Sequence, residues 1–344
     1  MEVVLKENSM KGCFVNKSDS DRINYVYKQG RREKFETELE VLPGIVTEKN
    51  LEEHKTFLRE TEVIITTWNF LPLSDAQIQE YFPKLRLVLY GAGSVQGFAR
   101  PFLNRGIKVV SAWGAIAVNV AEFASSLVIM ANKGYFQVLN TYKKDGHRAA
   151  SKLCADTFPG NYNIKVGILG VGMVGTMVVE RLKLSNLEIL AYDPFLPDEK
   201  AKKLVVRKVS LEELFSECQT ITNHMANNPQ TEKMLTYRLF SLMKDNASFV
   251  NTGRGASVVE ADLARALREK PGRTAILDVT HPEPVQEGHE FLSMPNVFLT
   301  PHIAGSANVE VIRLADCMFD ELRRFKAGEK LLFEVTLPML ETMA

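Results

Sequence analysis

The chain has 344 residues, 45% of them apolar and 24% charged, which is enough length for two domains with separate cores. It carries 42 basic and 42 acidic residues with no long block of one sign, which argues against electrostatic capture of nucleic acid or an anionic membrane. The N-terminal MEVVLKENSMKG is charged and lacks a signal-peptide core, while the most apolar run, AEFASSLVIMA, carries Glu122 and reads as too short to span a bilayer. Four scattered cysteines, Cys13, Cys154, Cys218 and Cys317, form no C-x-x-C pair. That pattern points to a reduced cytoplasmic setting, inert thiols and no metal site.

Short apolar runs alternate with amphipathic segments, the pattern of a parallel α/β protein. In the first third, GCFVNK, EVIITTW, LRLVLY and IKVVSAW read as strands, with SDAQIQEYF and GFARPFLN as helices between them. From about Val118 one long helical pattern runs through AEFASSLVIMANKGYFQVLNTYKK, and a loop marked by DG and PG is expected after it. A second series follows in IKVGIL, LEILAYD, TITNHM, ASFVN, TAILDV and NVFLTP. The closing segment places Val311, Leu314, Ala315, Met318, Phe319, Leu322 and Phe325 at helical spacing, so it must dock one face on something. The domain boundary is expected near residues 113–118.

Within the second series, VGILGVGMVG holds Gly170, Gly172 and Gly175 as G-x-G-x-x-G between a strand and a helix. Such a loop turns tightly, lets backbone N–H groups approach a pyrophosphate and packs the helix close to the strand. The helix N-terminus then offers its positive end to the phosphates. Asp193 ends the next strand, placed to accept from both hydroxyls of an adenosine ribose and to repel a 2′-phosphate, which favours NAD. The competing reading makes Asp193 a turn residue before Pro194.

Three late strands each deliver a polar group just past their carboxyl ends, where ligands bind in open α/β sheets. ASFVN is followed by Arg254 in TGRG, TAILDV by Asp278 and then Glu283 in HPEP, and NVFLTP by His302. Hydride chemistry at a carbon bearing oxygen needs a proton partner, and histidine titrates near neutrality. A carboxylate can fix its tautomer, and arginine matches an oxo-carboxylate with paired donors. Taken singly, Arg254 also reads as a surface ion pair, Glu283 as a solvated loop acid and His302 as a helix cap. His54, His147, His224, His281 and His289 read as mostly surface or structural, with lining of the cleft as an alternative for His224 and His281, which sit at strand ends.

These residues resemble the D-isomer-specific 2-hydroxyacid dehydrogenase family, most specifically in GILGVGMVG, VNTGRGASVVEADLARAL and LDVTHPEP with LTPHIAG. The resemblance implies that Arg254, Glu283 and His302 are catalytic. It places Met173 and Val174 under the pyrophosphate, and Thr252, Gly253, Asp278 and Gly305 around the nicotinamide end. It also implies an NAD-binding Rossmann domain over 114–305, inserted in a flavodoxin-like substrate domain made of 1–113 and 306–344. The helical segment around 118–145 looks like the family's dimer arm. Ala92, Gly93 and Ser94 fall where its substrate-carboxylate loop lies, with Arg254 as a further substrate contact. Three departures bear on substrate identity: Val95 and Gln96 after Ser94, SAWGA in place of Asn-Thr-Pro, and Ala226 where proline is usual. No arginine follows the strand ending TTWNF, which argues against 3-phosphoglycerate.

The expected function is therefore reduction of a small 2-oxo acid, or oxidation of the D-2-hydroxy acid, with NAD(H) in a homodimer. Two alternatives stay open: a non-enzymatic NAD-sensing regulator of the same fold, and a dehydrogenase of another small anion such as formate. Trp68 and Trp113 end first-domain strands and read either as junction packing or as an apolar wall for the substrate.

Overall fold

The computed structural model describes residues 9–18, 21–146 and 148–341, so the start of the N-terminal segment, residues 1–8, and His147 lie outside the described residues. The chain divides into two compact units, Met1–Ile116 with Ser306–Ala344, and Ala117–Gly305.

The first unit opens with five strands: β1 (Lys11–Phe14), β2 (Glu40–Val41), β3 (Thr61–Thr66), β4 (Leu87–Tyr90) and β5 (Lys108–Ser111). Seven follow in the second unit: β6 (Tyr162–Leu169), β7 (Asn186–Tyr192), β8 (Arg207–Lys208), β9 (Thr220–Asn223), β10 (Ser248–Asn251), β11 (Thr274–Leu277) and β12 (Val297–Leu299). The chain closes with β13 (Glu334–Val335), which returns to the first unit and pairs antiparallel with β5.

In the first unit the strand order is β13-β5-β4-β3-β1-β2. Its central strands β3 and β4 carry the unbroken apolar runs Val63–Ile65 and Leu87–Tyr90 because both faces are covered, as parallel sheets require. Ile64 and Val88 pack on one face with Ile78, Phe82 and Phe102. Val63, Ile65, Leu87 and Leu89 pack on the other, where the closing helix Ile312–Ala327 sets down Leu314, Ala315, Met318 and Leu322. Within that apolar stripe Glu321 is also buried. Its carboxylate accepts the N–H groups of Leu332 at 2.9 Å and Phe333 at 3.2 Å, and burial pushes its pKa up. The helix thereby holds the turn that leads into β13.

The second unit is a fully parallel sheet in the order β12-β11-β10-β9-β6-β7-β8. β6 is the pivot: β7 and β8 run out to one side of it, and β9 to β12 to the other. That reversal is the topological switch point at which such sheets bind ligands.

Three sequence expectations need correction here. The long helical pattern is two helices, Trp113–Asn132 and Tyr135–Asp145, because Gly134 adopts φ 66° and its missing Cβ would lie 2.1 Å from the Phe158 ring. The expected loop after them contains a third helix, Arg148–Ala155, which the DG and PG turns merely flank. The first helix, with 20 residues, is long and apolar enough to cross a membrane, so shortness does not set it apart. Instead, Ala121, Ala124 and Val128 are buried against Val166, Ile168 and Val178 of the second unit. All four cysteines are free, and burial pushes the thiols of Cys13, Cys218 and Cys317 up to about 12, leaving them poor nucleophiles.

Candidate active site

The glycine loop leaves β6 at the switch point. Gly170 takes φ 82°, and a Cβ there would press on the His224 carbonyl oxygen at 3.0 Å. Gly175 has no room for a side chain either, since its Cβ would sit 2.0 Å from the Gly170 oxygen. Gly172 is different, because a Cβ there meets nothing. It precedes the helix Met173–Leu182, whose first turn has no side-chain cap. The N–H groups around Met173 and Val174 thus lie at an open, positive helix end, which suits a pyrophosphate.

At the end of β7, Asp193 is held by the backbone on both oxygens. It accepts from Val171 N–H at 2.8 Å and from Phe195 N–H at 2.8 Å. The turn reading and the ribose reading are therefore compatible, because each carboxylate oxygen keeps a further lone pair.

Past β10, buried asparagines shape the loop that presents Arg254. Asn251 accepts from Gly253 N–H at 3.1 Å and donates to the Arg254 carbonyl at 3.1 Å. Asn223, at the matching end of β9, donates to Asn251 at 3.1 Å and to Ser257 at 2.9 Å. Gly255 fits under Thr280, where a Cβ would lie 2.1 Å from the backbone. Burial lowers the Arg254 guanidinium pKa, while attraction to the Glu283 carboxylate opposes that shift.

The imidazole of His302 meets Glu283 with Nδ1 2.6 Å from Oε1. This contact assigns the Nδ1 proton to the carboxylate side and leaves Nε2 to exchange a proton with a ligand. The His302 side chain is 46% exposed, so it is accessible for that task. Its backbone is in the left-handed region at φ 55°, and its N–H donates to the Asp278 carbonyl at 3.0 Å. Below it, the buried Asp278 carboxylate accepts from Thr300 Oγ1 at 2.6 Å, Ile303 N–H at 2.8 Å and Ala304 N–H at 2.8 Å. In this structure Asp278 thus fastens the turn that carries His302 and leads to Gly305.

His224 is half-buried at the strand ends. Its Nε2 is 3.1 Å from Thr222 Oγ1 and its Nδ1 3.4 Å from Thr252 Oγ1, and burial pushes its pKa down to about 3. A neutral imidazole therefore sits at the ends of β9 and β10, beside Thr252. The visible signal was its place directly after an apolar strand. His281 instead presents its N–H to Glu260 at 2.8 Å.

In the first unit, Ala92 already gives its N–H to the Tyr90 carbonyl at 2.7 Å. The N–H groups of Gly93 and Ser94 have no partner among the described residues. Ser111 Oγ holds the loop by donating to the Ala92 carbonyl at 2.8 Å. Trp113 packs edge-on against Phe333 with centroids 5.5 Å apart, its buried indole N–H without a partner among the described residues. Trp68 packs on core residues of both sheet faces, and its carbonyl accepts from the buried Asn16 at 3.1 Å.

A doubly wound parallel sheet with a glycine loop at its switch point defines the second unit as a dinucleotide-binding domain. The sequence profile of the D-isomer specific 2-hydroxyacid dehydrogenase, NAD binding domain, matches residues 125–304. The chain is 30% identical over 256 residues to a glyoxylate reductase of Korarchaeum cryptofilum, covering 74% of this chain and 77% of that one. It is 27% identical over 333 residues to a D-3-phosphoglycerate dehydrogenase of Archaeoglobus fulgidus, covering 96% of this chain but only 60% of the relative's length. Among solved structures, apo D-mandelate dehydrogenase of Rhodotorula graminis shares the fold with a TM-score of 0.78 at 21% identity, covering 95% of this chain and 98% of that one. The chain belongs to the D-isomer-specific 2-hydroxyacid dehydrogenase family, and the cofactor of its second unit is NAD.

Proposed function

We propose that the protein reduces a small 2-oxo acid to the D-2-hydroxy acid with NADH. The observation that carries this reading is the 2.6 Å contact of His302 Nδ1 with Glu283, on the same strand-end edge as the half-buried Arg254. NADH, when bound, supplies the hydride for C2. His302 holds the compensating proton at Nε2 and delivers it to the substrate oxygen, while Glu283 keeps the ring oriented through Nδ1. Arg254 presents paired donors to the oxo-carboxylate from a half-buried site, where reduced solvent screening strengthens them. Asp278 keeps His302 in place through the turn at Thr300–Ala304. Gly170, Gly172, Met173, Val174 and Gly175 hold the pyrophosphate, Asp193 the adenosine ribose, and Thr252, Gly253 and Gly305 border the nicotinamide end. Gly93 and Ser94 offer free N–H groups to the substrate carboxylate, with Ala92 acting as their buried anchor.

The first unit serves as the substrate domain in this reading, and the active species is a cytoplasmic homodimer. Four free cysteines fit a reducing compartment. A second copy of the chain suits the exposed apolar side chains of Tyr135, Tyr142, Leu153 and Tyr162. The test is NADH oxidation measured against glyoxylate, hydroxypyruvate, pyruvate and branched or aromatic 2-oxo acids. Turnover of at least one is expected, and none on any would overturn the reading.

A further inference from the structure

We propose that Lys200 sets cofactor specificity by offsetting the charge of Asp193, so that the chain accepts NADPH as well as NADH. The inference rests on the dinucleotide reading above and adds a residue to it. Asp193 and Lys200 grip the same residue of the glycine loop from its two polar ends. The carboxylate accepts from Val171 N–H at 2.8 Å, and the Lys200 ammonium donates to the Val171 carbonyl at 2.9 Å. Lys200 is partly buried, on the helix Asp198–Leu204 that follows the Asp193 turn.

An aspartate at the end of this strand discriminates between the dinucleotides by repelling a 2′-phosphate. That repulsion depends on the net field at the ribose and not on the carboxylate alone. Here the carboxylate is already met by two backbone N–H groups, from Val171 and Phe195. The neighbouring charges also cancel. Lys208 donates to the Leu196 carbonyl at 2.8 Å and to Asp198 at 2.7 Å. The corner therefore carries Asp193 and Asp198 against Lys200 and Lys208, leaving no net negative charge to exclude a phosphate. Of the two lysines, Lys208 is ion-paired to Asp198, whereas Lys200 bonds only to a neutral carbonyl and can turn to a phosphate with little loss.

The experiment is calorimetric titration of the whole protein with NADH and with NADPH, at low and high salt, for the native chain, Lys200→Gln and Lys200→Arg. The native Kd for NADPH is expected within about 10-fold of that for NADH. In Lys200→Gln the ratio of the two constants should widen roughly 10-fold, and Lys200→Arg should restore it, in keeping with one partly screened charge contact. Added salt should weaken NADPH more than NADH in the native chain, and this difference should shrink in Lys200→Gln. An unchanged ratio in Lys200→Gln, or a native preference for NADH beyond about 100-fold, would overturn the inference while leaving the proposed function intact. Binding of neither dinucleotide would overturn both.

Discussion

His302 is held in a left-handed backbone conformation that few non-glycine residues adopt, and the hydrogen bonds of Asp278 hold the turn there. The price of that conformation is justified if the ring is the proton donor. His302→Ala is expected to lower kcat for 2-oxo acid reduction by roughly 10²–10⁴-fold, as losing a positioned acid does, with the Kd for NADH little altered. Glu283→Gln should fall between the native and His302→Ala rates, because a carboxamide can still accept from Nδ1 but offers no charge. Steady-state kinetics beside NADH titration separates the two effects, and near-native turnover in His302→Ala would make the histidine structural. His224 has the opposite electrostatic fate. Its folded pKa, about 3, lies below the ordinary 6.5, so between those values the unfolded chain binds more protons than the folded one. The stability tied to its neutral form is complete above pH 6.5 and is lost as pH falls toward 3, by at most about 2 kcal/mol at pH 5. Urea unfolding at pH 7 and pH 5 should therefore show a smaller acid loss in His224→Gln than in the native chain.

At the scale of elements, the glycine loop and its helix behave as one unit because Gly175 lies against the Gly170 carbonyl. Gly175→Ala would place a Cβ 2.0 Å from that oxygen. No side-chain rotation relieves a clash with backbone, so the helix must move away from the strand. Loss of NADH binding is expected, with destabilisation of roughly 1–3 kcal/mol, measured by titration and by thermal unfolding. Strands and helices of the nucleotide-binding unit were legible because their apolar runs and turn residues are local signals. The two-residue strands β2, β8 and β13 were not, since so short a run has no period to detect. The helix Arg148–Ala155 was also hidden, because the flanking DG and PG turns carry a stronger local signal than its weakly apolar sequence. Its exposed Leu153 illustrates how little of it is buried.

For the whole molecule, assembly is the property least accessible from one chain. Tyr135 and Tyr142 lie seven residues apart on one helix and are 50% and 54% exposed, and Leu153 on the next helix is 71% exposed. Replacing Tyr142 and Leu153 by glutamate would put charge into the apolar face proposed as the dimer interface. Light scattering should then report one chain per particle in place of two, with the unfolding temperature lowered at low protein concentration. A native protein that is already monomeric would remove the homodimer from the proposal.

The sequence by itself determined the α/β class, the glycine loop and the identity of the groups that follow β10, β11 and β12, because each is written within a few neighbouring residues. Their family resemblance followed from the same short blocks. Only the tertiary structure decided how those groups are held. Asn223 and Asn251 lie 28 residues apart yet shape one loop through a 3.1 Å contact. Asp278 braces a turn more than twenty residues downstream, and the half-buried His224 lies between Thr222 of β9 and Thr252 just past β10. Lys200 likewise reaches back 29 residues to the glycine loop. Hydrogen-bond partners and local fields depend on distances through space, and a sequence states only distances along the chain.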